Sequence, residues 1–217
     1  MPIQNAVPRR KSALTFAASL ILAMACSQTE ALATDLDDCK IDTVAGQVSA
    51  TSQGESRAVA PGLSIGSADT LTTGPDGRVR IVCRAETSFV VGSATQIVFE
   101  KLARATKSES FTARIIDGIA GFIVQMTGGE RFEVHTPSAV ASVRSTEWTV
   151  EVIEGGTAVF VRKGAVAVHG KRAPDVKVLL RRGEGVDVTA QGRLGSVKSW
   201  GQKRIDRMNG RLGFDWK

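Results

Sequence analysis

From Val44 to Val188 apolar and polar residues alternate one by one in short runs, and no other feature narrows the fold as far. Gly46-Gln47-Val48-Ser49-Ala50, Arg78-Val79-Arg80-Ile81-Val82, Arg131-Phe132-Glu133-Val134-His135 and Glu147-Trp148-Thr149-Val150-Glu151-Val152 all follow this rhythm, with many β-branched side chains. Successive side chains on a pleated strand point to opposite faces, so such runs are half-buried strands. Turn residues recur at intervals of roughly 8–12 residues, the spacing of a sandwich or barrel: Pro61-Gly62, Pro75-Asp76-Gly77, Gly128-Gly129, Gly155-Gly156, Gly164, Gly170 and Gly183. Proline presets φ and glycine accepts a positive φ, so Pro75-Asp76-Gly77 is the clearest of these turns. The expected fold is all-β, a single domain of short strands over residues 44–190. The glycine-separated units Thr157-Ala158-Val159-Phe160-Val161, Gly164-Ala165-Val166-Ala167-Val168 and Gly185-Val186-Asp187-Val188 suit a β-solenoid, whose rungs bury one another's apolar faces. Their spacing is not constant, so a twisted β-sandwich fits equally.

The tail, residues 191–217, has a different rhythm. Trp200, Ile205, Met208 and Leu212 fall near one helical face, with Lys203, Arg204, Arg207 and Arg211 around them. A short C-terminal amphipathic helix is expected there, capping one end of the β-core. Between Arg193 and Lys217 seven basic residues face only Asp206 and Asp215, a local charge of +5.

The first 33 residues read as an export signal. Arg9, Arg10 and Lys11 precede an apolar stretch from Ala13 to Ala25, 13 residues long. A spanning helix needs about 18 or more. Ala31-Leu32-Ala33 then offers the small-x-small pattern of a signal-peptidase site, which would leave Thr34 as the mature N-terminus. The alternative is a lipoprotein anchored through Cys26, although Ala23 stands where a lipoprotein signal wants a bulky aliphatic residue. Ser12 and Ala13 likewise depart from a twin-arginine signal. The expected location is outside the cytoplasm, in the periplasm. Removing residues 1–33 takes away three basic residues and one acid, so the formal charge falls from +6 to +4. Residues 34–43 read as a flexible mature N-terminus.

Processing would also remove Cys26 and leave Cys39 and Cys83. In an oxidising compartment the two form a plausible disulfide, stabilising by about 3–4 kcal/mol on the chain-entropy model. The alternative is that Cys83, inside an apolar alternation, is simply a small buried hydrophobe.

From His135 to Val150 the sequence resembles the FecR domain family, whose core reads T-P-x-A-x-x-x-V-R-G-T-x-F-x-V. The matching positions are Thr136, Pro137, Ala139, Val143, Arg144, Thr146, Trp148 and Val150. Upstream, Gly46-Gln47-Val48, Gly62-Leu63-Ser64-Ile65 and Asp69-Thr70-Leu71-Thr72-Thr73-Gly74 resemble the family's opening. The resemblance covers about Thr43 to Val188. Ser145 replaces the family's Gly, which implies a less extreme φ at that turn. Trp148 replaces its Phe, a larger side chain at a core-facing position. The best-known members are membrane regulators with a cytoplasmic anti-sigma segment, one spanning helix and a periplasmic sensing domain. About a dozen residues precede the apolar stretch here. The resemblance therefore implies the periplasmic module alone, without the anti-sigma segment.

Composition and motifs exclude several chemistries. Aromatics make up 5% with no Tyr, too few for platforms that stack bases or sugars, and 2 His cannot build a histidine-rich zinc site. Asp35, Asp37 and Asp38 lack the glycine and terminal glutamate of a calcium loop. No metal or cofactor is implied. His135 beside Thr136-Pro137-Ser138 invites serine chemistry, but no G-x-S-x-G elbow occurs, and alternation places His135 and His169 on solvated strand faces. Val140 and Val143, at odd spacing, lead us to expect a bulge or turn between them. Arg144 reads as a turn tether or an anion contact. Lys203, Arg204, Arg207 and Arg211 are the other candidate interaction residues; in an exported protein their target would be an acidic partner, anionic lipid or glycan rather than nucleic acid. The expected function is a non-enzymatic binding module, sensory or regulatory, with a protein partner in the cell envelope. The alternatives are a small envelope serine hydrolase and a structural protein assembling by edge pairing.

Overall fold

The computed structural model describes residues 39–83, 87–102, 110–125, 131–214 and 216. The export signal over 1–33, the Cys26 alternative, residues 34–38 with their acidic trio, and the Gly128-Gly129 turn lie outside them.

The first strands are β1 (Lys40–Ala45), β2 (Val48–Ser52), β3 (Glu55–Ala58), β4 (Thr70–Thr73), β5 (Arg78–Val82), β6 (Ser88–Val91), β7 (Thr95–Lys101) and β8 (Ser110–Val124). They are followed by β9 (Arg131–His135), β10 (Ala139–Val143), β11 (Thr146–Ile153), β12 (Gly156–Lys163), β13 (Ala165–Gly170), β14 (Ala173–Arg181), β15 (Glu184–Thr189) and β16 (Lys198–Ser199). One helix, α1 (Gln202–Leu212), ends the described chain. Sheet A runs β1-β5-β6-β8-β11-β12-β15-β16. Sheet B runs β3-β2-β4-β7-β8-β9-β10-β13-β14. Among the described residues only the β8–β9 ladder is parallel. A solenoid stacks its rungs in parallel, so of the two expected architectures the chain adopts the twisted sandwich.

The two sheets share β8. Its first half pairs with β7 and β9 in sheet B, and from Gly118 onward it pairs with β6 and β11 in sheet A. Gly118 makes the transfer at φ +92°, and a Cβ there would stand 2.2 Å from Thr95 Oγ1. Thr95 Oγ1 in turn accepts from the Ile119 N–H at 2.9 Å, and Thr73 Oγ1 donates to the Gly92 carbonyl at 2.6 Å. Buried threonines thus satisfy the backbone groups that the change of sheet would otherwise leave unpaired.

Between the sheets lies a core dominated by rings. Phe89, Phe122 and Trp148 come from sheet A, Phe99 and Phe132 from sheet B, with neighbouring centroids 5.1 to 6.4 Å apart. All five are essentially inaccessible to solvent. The few aromatic residues of this chain are spent on packing.

Several expectations need correction. Lys40 to Thr43 belong to β1 rather than to a flexible leader, because that strand pairs with β5 and Ile41 is buried. Cys39 is buried too, rather than exposed in a leader, and the expected disulfide to Cys83 is formed, joining the start of β1 to the end of β5. The strand β10 is unbroken: Ala139, Ala141 and Val143 face inward while Val140 points to the half-exposed outer face, so no bulge intervenes. The helix does not cap an end of the core. Met208, Leu212 and Trp216 pack on Val90, Ile119 and Phe160, covering the outer face of sheet A. Glycines make room for this cover: a Cβ at Gly121 would lie 2.7 Å from the Trp216 ring, and one at Gly185 would lie 2.2 Å from Trp200 Nε1. Arg78 and Arg80, on that same outer face, donate to the carbonyls of Gly210, Arg211 and Phe214 and satisfy the C-terminal end of α1.

Candidate interaction surfaces

The segment from Thr136 to Val150 joins the two sheets. Pro137, which cannot donate to a ladder, lies in the bend between β9 and β10, as expected. Thr136 Oγ1 accepts from the Ala139 N–H at 2.9 Å and closes the turn. Thr136 Oγ1 and Ser138 Oγ lie 2.7 and 2.8 Å from Thr157 Oγ1 of β12. All three hydroxyls are buried, so they tie a turn of sheet B to a strand of sheet A. The next turn, Arg144-Ser145, leads into β11. Ser145 does not take a positive φ, and the left-handed residue at this corner is Gly164, at φ +87°. A Cβ at Gly164 would stand 2.7 Å from the Ser145 carbonyl oxygen. Thr146 Oγ1 donates to the Ala165 carbonyl at 2.9 Å. Beside this corner is a shallow depression of about 220 Å³, lined in part by Gln125, Thr146, Glu147 and Lys163.

The residues that invited serine chemistry are separated. Ser138 reaches toward sheet A, whereas His135 sits on the outer face of sheet B. There its ring nitrogens lie 3.5 Å from Glu133 and 3.9 Å from Glu100, and Glu100 also holds Arg114. His169 faces the same way, next to Val140 and Lys177 across the ladders.

Of the candidate interaction residues, Arg204 and Arg211 are committed within the fold. Arg204 forks onto Asp187, with bonds of 3.0 and 2.5 Å, and stacks over Trp200 at 3.5 Å from the ring centroid. Arg211 binds Glu151, itself nearly buried on β11, and the Ser93 carbonyl. Lys203 and Arg207 stay exposed, and so does Arg144, which has no hydrogen-bonding or ion-pair partner among the described residues. Helical periodicity placed all four tail cations around one helix but could not tell which would turn back onto the sheet.

Sequence reasoning raised edge pairing but could not say which strands form the sheet edges. Sheet A ends at β1, whose open side is closed by hydrogen bonds to residues 62–65, and at the two-residue β16. Sheet B ends at β3, four exposed residues, and at β14, nine residues long. On β14 Val176 and Leu179 are 59% and 54% exposed, more than any other large apolar side chain described.

The FecR protein family model matches residues 69–167. Over those residues the chain matches the FecR domain. The match holds the threonine-tied turn, the Arg144 corner and the shared strand β8, while the Gly46 and Gly62 segments of the resemblance lie ahead of it. Two crystal structures of a candidate anti-sigma factor from Parabacteroides distasonis, at 1.65 and 2.50 Å, have similar folds. Each is 18% identical, with TM-scores of 0.52 and 0.53, over 63% of this chain and 62% of the other. The chain thus spans less than two thirds of the solved proteins it matches. No curated protein matches it. Within the matched region the motif residues divide by task. Thr136, Ala139, Val143, Thr146, Trp148 and Val150 are buried, Pro137 shapes the bend, and Arg144 alone of the eight projects an exposed charge.

Proposed function

We propose that this FecR-like chain is an exported, non-enzymatic binding module of the cell envelope, acting as a sensory or regulatory component through a protein partner. The observation that carries the reading is the fate of the polar motif residues. Thr136, Ser138 and Thr146 are buried and hydrogen-bonded inside the domain, so none is poised as a nucleophile, and Ser138 lacks the adjacent base such chemistry needs. What the domain offers outward is strand edge, turn and charge, the means of protein recognition. The candidate anti-sigma assignment of the P. distasonis protein agrees with a regulatory role. Residues 1–33 would supply export and the periplasm the oxidising setting for the Cys39–Cys83 bond.

The test is covalent capture in cell-envelope extract, with a photocrosslinker at Arg144 and, as control, at Glu55 on the distant β3 edge of sheet B. A single partner crosslinked by the folded protein, together with no hydrolase activity on envelope esters or peptides, is expected. A defined turnover abolished by Ser138→Ala in a chain that still folds would overturn the reading.

A further inference from the structure

We infer that β14 is a docking edge for an extended acidic segment of another protein, added as the next strand of sheet B. The inference rests on the binding-module reading and supplies its surface. Among the described residues the strand pairs only with β13, so its other side offers backbone N–H and C=O groups, a template for a further strand, apart from the Arg181 N–H, which donates to the Glu184 carboxylate at 2.7 Å. The other three sheet ends are covered, two residues long, or four residues long. At its start the β14 ladder slips: Lys177 pairs with His169 and Ala173 with Gly170, leaving Pro174, Asp175 and Val176 in a bulge. The regular edge is therefore Lys177-Val178-Leu179-Leu180-Arg181. Val178 and Leu180 turn toward the core, while Lys177, Leu179 and Arg181 line the exposed face, a cation on either side of an apolar residue.

That pattern argues against a second copy of this chain. An antiparallel self-pair centred on Leu179 sets Lys177 opposite Arg181, and one centred on Lys177 sets that lysine opposite itself; like charges directly opposite destabilise a sheet. Centring on Val178 avoids this only by drawing the bulged Asp175 and Val176 into the ladder. A strand with carboxylates at two alternate positions around an apolar residue meets no such conflict. Its acids lie opposite Lys177 and Arg181, and its apolar side chain covers Leu179.

The experiment uses the full chain and two nine-residue strand peptides of Thr and Val. One carries Glu at its third and seventh positions, the other Lys. The Glu peptide should bind roughly tenfold or more tightly than the Lys peptide, in a salt-sensitive manner. The doubly reversed Lys177→Glu/Arg181→Glu variant should invert the preference. The single variant Leu179→Asp, at an exposed site, should weaken the Glu peptide while leaving the melting temperature unchanged. Equal binding of both peptides, binding of neither, or an unchanged preference in the reversed variant overturns the inference. So does a sedimentation result in which the chain dimerises and Leu179→Asp makes it monomeric, because that assigns the edge to a second copy. An envelope partner captured equally well by the reversed variant sinks this edge and leaves the binding-module reading standing. Capture of no partner by the folded chain sinks the reading itself.

Discussion

On the outer face of sheet A, Val90, Ile119 and Phe160 lie under Met208, Leu212 and Trp216. On the outer face of sheet B, Glu100, Arg114, Glu133 and His135 lie against one another at the solvent boundary. Both sheets share one strand and one aromatic core, yet sheet A is packed on both sides and sheet B on one. The local sequence accounts for the difference. Strand β9 alternates strictly, whereas Phe89-Val90-Val91 in β6 and Ala158-Val159-Phe160-Val161 in β12 are continuously apolar, the pattern of a strand buried on both faces. A cover for sheet A was therefore to be expected, and the basic tail supplies it. Its cations are placed to suit, with Arg211 on Glu151 and Arg204 on Asp187.

The core that the two sheets share should be the most sensitive place in the molecule. Trp148 is fully buried among Phe122 and Phe132, and Trp148→Ala should cost about 3–5 kcal/mol through lost transfer energy and a cavity. Its indole N–H has no partner among the described residues. Trp148→Phe, which restores the side chain of the family pattern, removes an unpaired buried donor along with one ring, so it should stay within about 1.5 kcal/mol of wild type. Chemical denaturation of both variants checks the pair. An unchanged midpoint for Trp148→Ala would remove Trp148 from the core.

Next in size is the disulfide. Cys39→Ser with Cys83→Ser should lower stability by about 3–4 kcal/mol, since the bond closes a long loop in the unfolded chain. Thiol titration of the denatured, unreduced protein should find neither Cys39 nor Cys83 free. Reactive thiols at both positions would contradict the bond.

The two outer faces can be set against each other with one kind of substitution. Gly121→Leu on sheet A places a side chain where the Trp216 ring lies, and should cost about 1–3 kcal/mol while shifting tryptophan fluorescence as the cover lifts. Ala167→Leu, on the partly open outer face of sheet B, should change stability by no more than about 0.5 kcal/mol. Equal effects would mean that the cover is not packed as described.

Much of this was legible in the residues. Period-2 runs located most strands, and Pro137, Ser145 and Trp148 occupy the bend, the ordinary-φ corner and the core position that their chemistry required. The threonine ties could not be read, because Thr136 and Thr157 are 21 residues apart and meet only when two sheets close on each other. The transfer of β8 between sheets was hidden for a similar reason. Gly118 reads as a weak point in a strand until Thr95 is known to stand beneath it. The sheet edges were invisible because strand order follows from pairing, and local pattern does not specify which strand lies last. Lys40 to Thr43 looked like leader because Asp37, Asp38 and Lys40 are polar, yet the Cys39 bond and the β5 ladder draw that stretch into the sheet.

Small effects are also expected where the sequence most invited a catalytic reading. His135 is partly exposed, and its contacts to Glu133 and Glu100 span 3.5 and 3.9 Å at the edge of solvent, where an ion pair contributes at most about 1 kcal/mol. His135→Ala should therefore move the melting temperature slightly and leave partner capture intact. Ser138→Ala differs, because it removes a buried hydroxyl bonded to Thr157. Thr157 keeps its bond to Thr136, so the expected cost is about 0.5–1.5 kcal/mol. The order of the two, with Ser138 costing more than His135, is what distinguishes a tie between sheets from a catalytic pair. A pair acting together would lose the same activity from either substitution, and neither would need to lose stability.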